Sequence, residues 1–506
     1  MSILRGGGNA VDAAVSAMLA AIIAEPMLTG LAGAGVATLR VGGATHIFDM
    51  FTDMPGLGRD PGLPVPIQEP IDINFGPTSQ RFLIGAGSVA VPALGIGLAR
   101  LHERHGRLPL SDVVEPAAVL ATEGAPIRPG MARILSLVWP ICRRSPELAK
   151  YMGRPGEDAP LTVGDTYRNP DLAETLRAFG RDGASLLTHG HIADAMLGAL
   201  GDASLLTRRD LESYAPKQRE PLMYRYRDAT VWLPGPPSIA GLLVLQALRE
   251  LEDQGEMPRG LGVEQVRRVA AAMARTEAAK NGRLGEDLFL PGFVQGFMSA
   301  IAADESRKAW RDAQMPGGST GGHTTHISVV DEDGDIVGIT ASLGETCGIT
   351  AGDTGVTLNN LLGEEDVNPQ NIQRPPGHRL LTMCCPAIIE RDDGTTIAVG
   401  SGGSSRIRSA ILHAIVYAVD YKMSPAEIVA APRLHFEAGH LNVELGGRPE
   451  GCREEMTRLP GDLKTFPKQD MFFGGLNIAG FDGQGQFIGA GDSRRSGEFQ
   501  STESGH

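Results

Sequence analysis

The chain has 506 residues, 42% of them hydrophobic and 21% charged, with a formal net charge of −14. That length exceeds the roughly 250–300 residues one hydrophobic core supports, so two domains or one large layered assembly are expected. The acidic balance, with a pI near 5.4, excludes an electrostatic grip on nucleic acid or on an anionic membrane surface and leaves a small-molecule substrate. Cys142, Cys347, Cys384, Cys385 and Cys452 are odd in number and lack metal-ligand spacing. Reduced thiols are therefore expected, with no disulfide framework, metal or cofactor.

In chain order, Gly8-Asn9-Ala10-Val11-Asp12 opens a helix, with Asn9 or Gly8 as its cap and Asp12 favourably set in the first turn. The apolar run Ala13 to Ala24 continues it and stops at Pro26. The run is too short to cross a bilayer and lacks a small-residue cleavage site, so it reads as a buried helix of a cytoplasmic protein. Gly30-Leu31-Ala32-Gly33-Ala34-Gly35 turns into strands predicted over 36–41 and 45–49. A nucleotide loop follows its strand, so this order argues against phosphate binding. Ser88 to Gly95 enters a helix ending near His105-Gly106, and Leu108 to Asp112 is expected to cap another over 113–123. Residues 124–225 read as mostly helical, followed by a strand at 231–233 and helices at 240–251 and 263–280. Beyond the Gly-rich stretch 315–322, strands are predicted over 326–331, 336–342, 356–359, 386–390 and 396–400, with a helix over 405–421. Helical and strand layers on this scale suggest stacked sheets covered by helices.

The change of pattern falls at Thr324, which heads the first of two short strands joined at Asp-Gly. A threonine hydroxyl needs a base to take its proton before it attacks a carbonyl carbon. If the chain is cut between His323 and Thr324, the new α-amine, with a pKa near about 7.7–8.0, can serve its own residue's hydroxyl. An ordinary hairpin with Thr and His on its faces has the same local pattern, so other segments must decide.

Those segments are Gly6 to Ala14, Val89-Ala90-Val91-Pro92, Leu108-Pro109, Pro236-Pro237-Ser238, Thr324 to Asp331, Leu358-Asn359-Asn360, Gly400 to Ile407, Ala431-Pro432-Arg433 and Gly491 to Arg495. Through them, in this order and over nearly the whole chain, the sequence resembles the γ-glutamyltranspeptidase family of N-terminal-nucleophile hydrolases. The resemblance implies an α/β fold, a four-layer αββα sandwich with a helix-rich large-subunit portion. It implies a precursor that cuts itself between His323 and Thr324 into a large subunit, 1–323, and a small one, 324–506, which stay together as an αβ heterodimer or as a pair of them. Thr324 would be the nucleophile, and the backbone N–H groups of Gly403 and Ser404 the oxyanion hole, where one donor is worth about 10²–10³ in rate. Ser404 stands where the family has a second glycine; a backbone donor survives that change if the turn keeps its conformation. Ser342 stands for a threonine whose hydroxyl contacts the nucleophile during self-cleavage.

The departures concern the substrate. The family's arginine for the γ-glutamyl α-carboxylate corresponds to the segment Asp49-Met50-Phe51-Thr52-Asp53, which has none, and neither Phe nor Thr replaces a bidentate guanidinium. A pair of carboxylate-binding serines becomes Thr382-Met383, and an asparagine that holds the amino-acid group becomes Gly344. Glu364, or Glu365 if the alignment slips, matches the acid that binds the substrate ammonium; Asn359 completes the substrate-binding set. The segment between Glu364 and Thr382 is shorter than the family's lid. Cys384 and Cys385 read as packing thiols, because no helix N-terminus or basic neighbour lowers their pKa. Family members also carry a strand and a secretion signal before the first helix, so an incomplete start at Met1 is expected.

The first functional reading is a self-processing threonine hydrolase or acyltransferase for a non-glutathione amide in secondary metabolism. A second is C–C hydrolysis, in which an acyl group is removed from a pyrroline-type intermediate on the way to 4-alkylproline antibiotics. A genuine γ-glutamyl enzyme and a non-catalytic scaffold are the remaining alternatives; retention of Thr324, Ser342 and the Gly-rich loop together speaks against the scaffold.

Overall fold

The computed structural model describes residues 1–74, 79–283, 286–302, 324–459 and 461–502. The chain forms two compact units: Met1–Arg219 with Thr320–Thr382 and Gln500–His506, and Glu220–Ser319 with Met383–Phe499. Neither stops at the 323/324 boundary; each takes chain from both sides of it.

In the first unit, five strands form a sheet in the spatial order Thr325–Val330 (β6), Ile336–Ser342 (β7), Ala34–Val41 (β1), Ala44–Met50 (β2) and Lys217–Arg219 (β3), all pairs antiparallel. Most of β1 and β7 is buried on both faces, which is why they read as continuous rather than alternating apolar runs. Helix α1, Ala10–Ala24, packs on β6 and β7 with nearly every residue buried. Its start is a capping box: Asp12 N donates to Asn9 Oδ1 and Asn9 N to Asp12 Oδ2, both at 3.0 Å. Asp12 also accepts from the backbone of Arg107 and Leu108. Burial pushes its carboxyl up, but the bonds from His102, Asn9, Arg107 and Leu108 outweigh that and hold it below the usual range. The turn after β6 is fastened to the same helix, since Ala10 N donates to Asp331 Oδ2 at 2.7 Å.

The second unit holds a six-stranded sheet in the order Phe487–Gly491 (β11), Gly475–Phe481 (β10), Thr396–Gly402 (β9), Ala387–Arg391 (β8), Ala229–Leu233 (β5) and Leu222–Tyr226 (β4). Helix α2, Ile239–Asp253, capped by the Ser238 side chain, packs beside helix α3, Arg406–Val419, which also lies on β9. Every residue of α3 is buried, Arg406 and Arg408 included. Arg408 meets that cost with Glu277 at 2.6 Å and Glu437 at 3.4 Å.

Three sequence expectations change. The helix expected to be capped by Leu108 to Asp112 runs Leu110–Glu123 with Pro109 at its cap, so Ser111 and Asp112 lie inside its first turn. The strand expected at 356–359 reduces to single bridges, Thr350 to Thr357 and Ala32 to Leu358, because the backbone there hydrogen-bonds to loops. The pattern also missed a hairpin, Glu69–Asn74 with Ser79–Ile84, and a three-stranded sheet, Leu434–Glu437, His440–Glu444 and Asp462–Phe466.

Candidate active site

Thr324 is 5% exposed and precedes β6; His323, the other side of the expected cut, lies outside the described residues. In the β6–β7 ladder Thr325 pairs with Ala341 and His326 with Thr340. One further step of that register sets Thr324 opposite Ser342, whose hydroxyl accepts from Gly344 N at 3.0 Å. The neighbouring side chains are committed elsewhere. Thr325 Oγ1 donates to the Glu25 carboxylate. His326 is bracketed by Thr340 Oγ1 and Ser328 Oγ, each at 2.8 Å, and burial pushes its pKa down to about 3. An imidazole that weakly basic and so held is poorly suited to take the proton of Thr324.

The loop after β7 is built around Gly344. Its φ is +74°, and a Cβ there would stand 2.1 Å from Asn360 Oδ1 and 3.4 Å from Glu364 Oε1. Asn360 Oδ1 is itself occupied, accepting from Glu345 N at 2.8 Å and Thr346 N at 3.2 Å. Of the two candidate acids, Glu364 is buried and Glu365 exposed, so Glu364 is the one beside Gly344. Burial, then its hydrogen-bonded neighbour Glu345 and nearby Asp366, push the Glu364 carboxyl well above the usual range. The two glutamates thus keep a proton at pH values where a lone carboxylate has lost it. Sequence reasoning passed over Glu345; an acid directly after a glycine gives no signal until the loop brings it to Glu364.

Asn359 behaves differently from the role the resemblance implied. Its Oδ1 accepts from Ala90 N and Leu361 N, and its Nδ2 donates to Ala32 O and Ala90 O, all at 2.8–3.1 Å. All four hydrogen-bonding positions of the amide are taken, so in this structure it staples three backbone segments and offers nothing to a ligand. Thr382 and Met383 are both buried; along the chain, Thr382 ends a segment of the first unit and Met383 begins one of the second. Segment 49–53 carries no arginine of its own but receives Arg379, also missed from sequence. That guanidinium lies 2.7 Å from Asp49 and 2.6 Å from Asp53, and stacks over Tyr214 at 5.2 Å. Its charge is balanced where it stands.

In the second unit, Gly403 and Ser404 form the turn between β9 and α3. Gly403 has φ +126° and Ser404 φ +52°, so the serine holds the left-handed conformation a glycine would adopt there. Their carbonyls accept from Arg406 N and Ile407 N in the first turn of the helix, which leaves the turn at the positive end of the α3 dipole. Cys384 and Cys385 are buried, and burial pushes the Cys385 thiol far up. A small, mostly apolar cavity in the first unit is lined by Ile22, Met27, Leu31, Met152, Tyr167 and Leu343 among others. Among the described residues no helix is long and apolar enough to cross a membrane, and no three His, Cys, Asp or Glu side chains group as metal ligands.

Solved structures share the fold. A cephalosporin acylase from Bacillus halodurans superposes with a TM-score of 0.82 at 22% identity, over 99% of this chain and 93% of that one. The Helicobacter pylori γ-glutamyltranspeptidase gives 0.51 at 22% identity, over 63% of this chain and 89% of its own. The fold is that of the N-terminal-nucleophile hydrolases. The family described as gamma-glutamyltranspeptidase matches residues 1–502, and the chain belongs to it. Relatives include an acylase ACY 1 proenzyme of Pseudomonas sp. (strain V22), 29% identical over 98% of this chain and 90% of the relative. A glutathione hydrolase proenzyme of Escherichia coli (strain K12) is 29% identical over 89% of this chain and 81% of the relative. The protein is accordingly an N-terminal threonine hydrolase or acyltransferase.

Proposed function

We propose that this chain is a self-processing amide acylase whose acyl group is not γ-glutamyl, and that Thr324 is its nucleophile after cleavage behind His323. The observation that carries the substrate reading is Gly344. An asparagine at that position would place its Cβ 2.1 Å from Asn360 Oδ1, so the amide that serves a γ-glutamyl substrate in the family has no room here. The pairing of Glu345 with Glu364 points the same way, because a proton-sharing acid pair is a poorer partner for one ammonium than a lone carboxylate. Acylases among the relatives and structural neighbours support the reading.

In the proposed reaction the Thr324 hydroxyl attacks the amide carbonyl while its α-amine takes the proton. The backbone N–H groups of Gly403 and Ser404 are assigned the oxyanion. Collapse breaks the C–N bond, the ammonium returns its proton to the departing amine, and water then hydrolyses the threonine ester by the reverse sequence. Two measurements test this. Denaturing gels with intact mass should give two chains for the wild type and one of 53.4 kDa for Thr324→Ala. A panel of acyl p-nitroanilides should then release p-nitroaniline best from a non-γ-glutamyl member. Preference for the γ-glutamyl compound would overturn the substrate reading, and a single uncut wild-type chain would overturn the nucleophile. C–C hydrolysis predicts a carboxylic acid with no amine, and a scaffold predicts no product.

A further inference from the structure

Beside the Gly403–Ser404 turn, Gly475 of the second unit clears a path for one cation. Gly402 pairs with Gly475 across β9 and β10. A Cβ on Gly475 would strike the Arg495 stem, at 2.8 Å from its Cβ and 2.9 Å from both Cγ and Cδ. The stem thus lies flat across the strand pair, where any side chain at 475 would displace it. Its guanidinium ends at Gly403: Arg495 Nη2 is 3.5 Å from where a Gly403 Cβ would stand.

The turn that delivers Arg495 is anchored. Residues Ser493–Arg495 form a single 3-10 turn capped by Asp492, which accepts from Arg494 N at 3.0 Å. Asp492 also accepts from Leu476 N at 3.0 Å and pairs with Arg433 at 2.5 Å and Arg494 at 3.2 Å. Burial pushes this carboxyl up, but the two guanidiniums and the backbone donors more than offset it. The backbone under Arg495 is therefore pinned to β10 on a charged cluster that is itself buried.

We infer that Arg495 is a positioning residue for acyl transfer: its fixed guanidinium sets positive potential behind the Gly403–Ser404 turn and favours the tetrahedral oxyanion over the planar carbonyl. This rests on reading that turn as the oxyanion loop. A charge already in place needs no reorganisation when the oxyanion forms, so its benefit falls on kcat and not on substrate affinity.

The test compares Arg495→Gln, Arg495→Met and Arg495→Lys with Gly403→Ala, on the best p-nitroanilide of the panel and with phenylboronic acid, which forms a tetrahedral adduct with a hydroxyl nucleophile. The inference predicts that the uncharged variants lose about tenfold or more in kcat, with KM within about threefold. Phenylboronic acid should bind them correspondingly more weakly, and lysine should restore kcat to within about threefold of wild type. Unchanged kcat in the uncharged variants, a loss confined to KM, or a failure of lysine to restore kcat in protein of normal melting temperature overturns it. Should neither uncharged variant mature into two chains, the lysine variant decides by the same threefold criterion. Gly403→Ala separates the premises: if it keeps full kcat, the oxyanion reading of the turn fails. If it loses about 10²-fold or more while the Arg495 variants are normal, only the role of Arg495 fails.

Discussion

Gly344→Ala should destabilise the protein by about 3–5 kcal/mol, and the figure follows from the loop itself. A methyl group at 344 would sit 2.1 Å from Asn360 Oδ1, where ordinary contact begins at 3.4 Å. Asn360 cannot swing aside freely, because its Oδ1 holds Glu345 N and Thr346 N and its Nδ2 reaches Leu83 O and Glu364. Retreat of the amide leaves buried backbone donors unsatisfied, at about 1–3 kcal/mol each. The left-handed φ of +74° adds about 1–2 kcal/mol for any residue with a Cβ. Urea denaturation with the m-value held constant measures the change. Gly344→Asn, which restores the family residue, should lose at least as much and gain no γ-glutamyl activity. A loss under about 1 kcal/mol, or the appearance of γ-glutamyl turnover in the asparagine variant, would refute both the packing account and the substrate reading built on it.

Glu345→Gln should stabilise the protein at pH 8 more than at pH 5. Glu364 has its pKa raised in the folded state, so its contribution is fully present below the unfolded value near 4.5 and is lost as pH rises through the folded one; removing the neighbouring acid flattens that loss, by about 1.4 kcal/mol per pKa unit relieved, and melting curves across pH 5–8 read it. Asp12→Asn should cost about 2–4 kcal/mol, since the carboxylate accepts from three backbone N–H groups and its replacement disturbs the cap of a buried helix. The wild-type carboxyl has a lowered pKa, so its stabilisation is present above about pH 4 and lost in acid; the wild type and the variant should converge in stability as pH falls below about 4, and a constant gap would remove the charge from the explanation.

Periodicity and capping were legible where short-range rules decide structure. Asn9 capped its helix with Asp12 in the first turn, and both strands after Thr324 fell within a residue of prediction, because cap chemistry and β-branched runs act over a few residues. The nucleophile's strand could be read as well, since its threonine and the Asp-Gly turn are local features. What the sequence withheld is long-range partnership. Glu345 becomes a partner of Glu364 only through a loop whose left-handed positions, Gly344 and Thr346, reverse the chain. Asn359 looked like a ligand-binding amide because an isolated asparagine does not reveal that Ala32 and Ala90, more than 200 residues away, fill its hydrogen bonds. Arg495 drew notice only as the end of a motif; its reach to Gly403 depends on Gly475, which lies far from Gly403 in sequence and comes beside it only through the pairing of β9 with β10.

The same long-range pairing bears on what a cut behind His323 can do. β1 lies before the cut and β7 after it, and they pair along seven residues from Ala34 with Ser342 to Arg40 with Ile336. In the other sheet β5 lies before it and pairs with β8 along four, from Ala229 with Arg391 to Trp232 with Ile388. α1, from the first piece, covers β6 and β7 of the second. Separating the pieces would expose those ladders and the apolar face of a largely buried helix, at a cost comparable with unfolding each sheet. Cleavage of one peptide bond removes none of these contacts. It changes only the termini, and the terminus it creates at Thr324 is the amine the proposed chemistry requires.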